Sequence, residues 1–269
     1  MVKLGYETYD IVSAGDILLF AGVRFTICGV AISAFAFFKD RSSFGEVKAH
    51  MFPILLSGVF SIVLHYGFSY LGLDLTGSSK TAILKQIGVL FYVCFSFLFF
   101  KEDKFSLKKL AAVLVGFAGI IAINAGPGGT GFGLGDVLII AASLCTVFSN
   151  VISKKVFQNV KPITATGIAQ LFGGVVLLTI GVVLGGDFQF DGNGSAGILF
   201  YICLASCVSY CIWFTMVKAS ALSKLFIVKF AEPVFACVFS ALLLGENVFK
   251  VQYLVAFLLI AGGIYISNT

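Results

Sequence analysis

Residues 18–38 read LLFAGVRFTICGVAISAFAFF, a run that is apolar on all sides and carries a single charge, Arg24. A helix rises about 1.5 Å per residue, so about 20 such positions cross a hydrocarbon layer about 30 Å thick while satisfying every backbone group internally. Eight further runs follow, and the spans are expected at 17–38, 51–73, 79–100, 108–125, 136–153, 163–184, 197–217, 222–244 and 250–267. Barrel strands would alternate apolar and polar residues with period two over about ten positions, and these runs do not, so helices are expected. Of all residues 59% are apolar and 12% charged, against the roughly 25% charge that a soluble domain uses to cover its surface. The fold class is therefore all-α and integral to a membrane.

Charge placement sets the expected topology. Of 16 Lys and 2 Arg, 11 follow odd-numbered spans: Lys39, Arg41, Lys48, Lys101, Lys104, Lys108, Lys109, Lys154, Lys155, Lys161 and Lys218. Only Lys250 follows an even-numbered span. Positive residues stay on the cytoplasmic side, which places the odd loops and the C-terminus there. The net charge of +5 is scattered over short loops, so it forms no patch for nucleic acid. All seven cysteines fall inside spans, and no disulfide framework follows. Cys203, Cys207 and Cys211 share a helix face, a spacing that reads as small packing residues or as a soft-metal face.

The strongest organising signal is a repeat. Residues 79–124 match 223–268 without a gap at an offset of 144, and 16 of the 46 positions are identical, Lys80 and Lys85 recurring as Lys224 and Lys229. The register carries back to Tyr66 and Tyr210. The third and fourth spans match the eighth and ninth, so the repeat holds five helices, and an odd number inverts the second copy. The linker KEDKFSLKK is rich in lysine where its counterpart GENVFKVQY holds one, as inversion requires. The expected division is 1–125 for the first copy, a glycine-rich linker at 126–135, and 136–269 for the second. The second copy opens with GDVLIIAASLCTVFSNVISKKVF, for which the first copy has no counterpart. Ten helices are expected for the complete architecture, with the first missing and nine visible.

Three stretches carry a family resemblance: EPVFACVFSALLLGENVFKVQYLVAFLLIAGGIYISN, FFKEDKFSLKKLAAVLVGFAGIIAIN and the opening of the second copy. With YGFSYLGLDLTGSSKTAIL between the second and third spans, their order and spacing resemble the EamA-type drug/metabolite transporters. The resemblance implies a ten-helix inverted-repeat carrier with a central cavity for small metabolites such as amino acids. It implies a bacterial inner membrane as the location.

Charged and polar residues inside spans are the candidate substrate-binding residues. Lys85 lies about 10 Å along the helix axis from the end of its span, and Lys229 occupies the related position. A charge at that depth costs about 2.5–3.5 kcal/mol, so the pair reads as a water-accessible anion site or as part of a structural ion pair. Lys80 and Lys224 are shallow enough to snorkel. Glu232 follows Lys229 by three residues and precedes Pro233, a local partner that Lys85 lacks. His65 and Tyr66 sit mid-span with Tyr210 at the related position, and His65 reads either as a proton carrier or as a packed histidine. Arg24 aligns with Gln170 at an offset of 146, either as a site residue or as a counter-ion to Asp16 or Glu232. Gln170 is expected in the cavity or bonded to a neighbouring helix, and Trp213 in the cavity or at the membrane interface.

A secondary carrier for a small organic metabolite is the function expected from these residues, with a noncatalytic membrane scaffold or inactive fragment as the alternative. No cofactor motif and no nucleotide-hydrolysing motif is present. Two histidines, His50 and His65, offer no convergent catalytic group, and no metal is expected. The partners are a small-molecule substrate and membrane lipids, and the architecture is compatible with a homodimer.

Overall fold

The computed structural model describes residues 11–75, 84–101, 106–124, 132–187 and 192–229, together with Tyr9, Thr81 and six positions between 255 and 266. Among these residues every regular element is helical. They are α1 (Ala14–Lys39), α2 (Ser43–Ala49), α3 (Met51–Gly58), a π-helical turn (Val59–Leu64), α4 (His65–Leu75) and α5 (Ile87–Phe99). Next along the chain come α6 (Leu107–Asn124), α7 (Leu134–Val156), α8 (Pro162–Val183), α9 (Gly192–Ala219) and α10 (Leu222–Val228).

Among the described residues five helices are long and apolar enough to cross a membrane: Ala14–Lys39, Met51–Leu73, Leu134–Val156, Pro162–Val183 and Ala196–Ala219. They coincide with the first, second, fifth, sixth and seventh expected spans. The fourth corresponds to α6, and the third to α5 preceded by a break. The eighth is described only through α10, and most of the ninth lies outside the described residues. So do Lys80, Glu232 and Pro233.

The chain divides into two compact units, Met1–Leu71 with Phe148–Ala219, and Gly72–Val147 with Ser220–Thr269. Each unit thus draws on both halves of the sequence.

In the first unit α1 and α8 run antiparallel with their backbones nearly touching. Gly15, Gly22 and Gly29 recur every seven residues on α1, and Gly167, Gly174 and Gly181 do so on α8. A Cβ on Gly22 or Gly29 would meet the backbone of Leu178 or Leu171, and one on Gly174 or Gly181 would meet that of Thr26 or Leu19. Without side chains at these points the helices approach closely and gain van der Waals contact, which is what holds helices together in lipid.

The ends of the pair are fixed by polar contacts. The Ser13 hydroxyl accepts from the Asp16 amide, and the Asp16 carboxylate accepts from the Ser13 amide, a reciprocal cap on α1. The other Asp16 oxygen accepts from the Asp187 amide at 2.9 Å. At the opposite end Lys161 pairs with Asp40, and the hydroxyls of Ser43 and Thr164 are 2.8 Å apart. Gly185 takes φ of +73°, and the amides of Gly185 and Gly186 donate to the carbonyls of Val182 and Gly181. The spacing of Gly181 and Gly185 reads as a close-contact pair, but only Gly181 meets α1. Gly185 has open space around its Cβ direction and serves as the left-handed residue that ends α8.

The remaining helices of this unit pack on the same pair. Ile62 in the π turn sits against Gly173, and Gly58 against the carbonyl of Ala169. On α1 the opposite face carries Phe20 and Cys28, which form a core with Leu199, Ile202 and Cys203 of α9.

In the second unit α5 packs against α10 through Tyr92 and Phe226, whose ring centres are 4.9 Å apart. The first part of α7 lies against the start of α5 at Gly88, and Ile139 lies against Gly72.

Candidate functional site

Arg24 is buried, with 4% of its surface exposed, midway along α1. Its guanidinium carbon stands 4.3 Å from the centre of the Phe25 ring and 5.3 Å from that of Tyr66. Tyr66 belongs to α4 just beyond the π turn. A π turn inserts a residue into the helical ladder and rotates the next stretch of helix by about 100°, so the turn sets the direction in which His65 and Tyr66 project. The Tyr66 ring lies 4.6 Å from Phe25, 4.9 Å from His65 and 5.6 Å from Tyr70. From α9, Tyr210 meets Phe25 edge-on at 5.8 Å, and its hydroxyl is 3.1 Å from that of Tyr66.

These side chains form a cationic centre walled by aromatic rings. A cation over an aromatic face gains about 2 kcal/mol when desolvated, comparable to the roughly 2.5–3.5 kcal/mol cost of inserting the charge. The rings offset part of the cost of burying the Arg24 charge, and a guanidinium fork matches a carboxylate with two parallel hydrogen bonds. Both Asp16 carboxylate oxygens accept from backbone amides at the start of α1.

Gln170 is 1% exposed, and among the described residues neither end of its carboxamide has a hydrogen-bond partner, so the expected bond to a neighbouring helix is not made there. The Trp213 indole donates to Asn150 Oδ1 at 2.7 Å, which ties α9 to α7. One turn on, Lys154 Nζ donates to the Val217 carbonyl at 3.2 Å. Asn150 and Ser143 carry no repeat signal, but with Thr146 they fall at helical spacing along one side of the fifth span. That polar stripe is the pattern from which both are legible.

The second unit holds the membrane lysines. Lys85 is exposed and lies at an interruption of the third span, α5 resuming at Ile87. Lys229 is half-buried and caps α10. Glu232 lies outside the described residues. The sulfurs of Cys203 and Cys207 face carbonyls of α1, those of Arg24 and Cys28. Among the described residues no group of three His, Cys, Asp or Glu is arranged to hold a metal ion.

A profile of the EamA-like transporter family matches residues 10–125 and again 133–269. The chain belongs to the EamA-like transporter family. Among the relatives of this EamA-like protein is the uncharacterized transporter YvbV of Bacillus subtilis, 29% identical over 94% of this chain and 82% of YvbV. The uncharacterized inner membrane transporter YedA of Escherichia coli is 24% identical over 94% of this chain and 80% of its own length. A WAT1-related chloroplastic protein of Arabidopsis thaliana is 27% identical over 86% of this chain, and the match spans 58% of that protein. A crystal structure 18% identical in sequence shares the fold, with a TM-score of 0.81 over 99% of this chain and 91% of its own. The EamA-like chain is thus a multi-pass membrane protein of a transporter family.

Proposed function

We propose that the protein is a secondary transporter that moves a small organic metabolite bearing a carboxylate, such as an amino acid, across the cell membrane by alternating access. The observation that carries this reading is Arg24, buried on α1 beneath Phe25 and Tyr66. A fixed cation in a low-dielectric, aromatic-walled site attracts an anionic group and packs the apolar remainder of the molecule. In this reading Lys85 and Lys229 provide further positive charge, and His65 or Glu232 carries a proton if transport is proton-coupled.

Alternating access draws support from the repeat. Tyr66 and Tyr210 are 144 residues apart and hydrogen-bonded. The segments 148–219 and 220–269 of the two units begin 147 and 148 residues after their companions, within a few residues of that offset. Two inverted copies, 1–125 and 136–269, give inward-open and outward-open states of similar energy. The full architecture is then a ten-helix inverted repeat in the cell membrane, with the C-terminus in the cytoplasm, lipids around it and room for a homodimer.

The test is a ligand-stabilisation screen of purified protein against amino acids, phosphorylated metabolites and nucleotides. Carboxylates are expected to raise the unfolding temperature of the parent and not of Arg24→Ala. Equal stabilisation of both proteins would remove Arg24 from the site.

A further inference from the structure

The third span is interrupted beside its membrane lysine, and one hydroxyl bridges the interruption. The Val89 amide donates to the Gln86 carbonyl at 3.0 Å, three residues back, where a continuous α-helix would use the Lys85 carbonyl. The Lys85 carbonyl instead accepts from the Ser143 hydroxyl at 3.0 Å. The same hydroxyl accepts from the Gly88 amide at 2.6 Å. Ser143 belongs to α7 and is buried, and the fit requires glycine at 88, where a Cβ would strike the Ser143 oxygen. Lys85, on the near side of the break, stays exposed. Its repeat mate Lys229 stands at the matching point, the C-cap of α10.

We propose that Ser143 is a positioning residue: its hydroxyl stands in for main-chain bonds that the interruption removes, and so fixes where Lys85 leaves the helix. Inside a membrane no water replaces a lost backbone partner. Removing the hydroxyl therefore drives residues 84–89 towards a continuous helix, and each residue of register shift turns Lys85 by about 100° around the axis. The consequence for transport rests on the reading of Lys85 as a substrate-binding residue, but the positioning itself does not.

The test is residue-resolved acylation of full-length protein with sulfosuccinimidyl acetate, read by mass spectrometry, with Lys101 as the internal reference. In Ser143→Ala the rate at Lys85 relative to Lys101 is expected to fall about fivefold, the equivalent of one lost hydrogen bond. Ser143→Thr, which keeps a hydroxyl, is expected to retain the parental ratio. If Ser143→Ala does not fold, Ser143→Cys replaces the hydroxyl with a weak donor of similar size and serves the same comparison. An unchanged Lys85 ratio, or an equal fall in the alanine and threonine variants, overturns the proposal. A fall at Lys85 in a carrier whose substrate binding ignores Lys85→Ala would leave Ser143 in its role and take Lys85 out of the site.

Discussion

The hydroxyls of Tyr66 and Tyr210 are 3.1 Å apart across a separation of 144 residues, the offset at which 79–124 recurs as 223–268. A shared hydrogen bond predicts non-additivity: Tyr66→Phe and Tyr210→Phe should each destabilise by about 1 kcal/mol, and the double variant by little more than either. Unfolding of the four proteins in one detergent checks this. Fully additive losses would mean that the hydroxyls do not depend on each other.

Arg24 should separate function from stability. Arg24→Met removes a costly buried charge and is expected to leave the unfolding temperature equal or higher, because membrane burial of the cation is expensive. Binding of carboxylate ligands should be lost. Arg24→Lys keeps the charge but not the planar fork, and should weaken binding about tenfold or more. Isothermal titration with a ligand found by the stabilisation screen measures both.

Close approach of α1 and α8 makes their glycines unequal to others. Gly29→Ala places a Cβ against the Leu171 backbone and is expected to cost about 1–3 kcal/mol through overpacking. Gly45→Ala, in the short helix α2 with open space around it, should be neutral or stabilising by about 1 kcal/mol. Thermal unfolding of the two variants side by side gives the comparison.

Much of this molecule is legible in its sequence because membrane burial writes long, unambiguous runs. Five expected spans match helices long enough to cross, and Arg24, Tyr66 and Tyr210 stand out in the sequence as a membrane charge and a pair of repeat mates. The heptad glycines at 15, 22 and 29 are equally readable but need a partner helix to give them meaning. The polar stripe of the fifth span marks Ser143, but its role is hidden for a different reason. A serine in an apolar span usually bonds back into its own helix, and nothing local shows that another helix is broken beside it. The polarity of Gln170 suggests a bond to a neighbouring helix, which among the described residues it does not make.

Outside the membrane, Asp40 and Lys161 form a charge pair that should respond to pH and salt. The Lys161 ammonium, helped by the Ser42 hydroxyl, holds the Asp40 carboxyl down at about 2 from its ordinary 3.8. Asp40 in turn raises Lys161 above its ordinary 10.5. The depressed acid contributes stability above pH 3.8 and loses it as pH falls towards 2. The raised base contributes below pH 10.5 and loses it as pH climbs beyond that. Since both groups face solvent, Asp40→Asn should shift the unfolding temperature slightly between those limits, and the shift should vanish at about 1 M salt. Unfolding scans over pH and ionic strength are the check.

The most direct measurement is counterflow in vesicles holding the purified protein, using a labelled carboxylate that stabilises it. Alternating access predicts faster, saturable uptake of label into vesicles preloaded with the unlabelled compound, abolished by Arg24→Ala. Uptake that is the same in preloaded, empty and protein-free vesicles would contradict it.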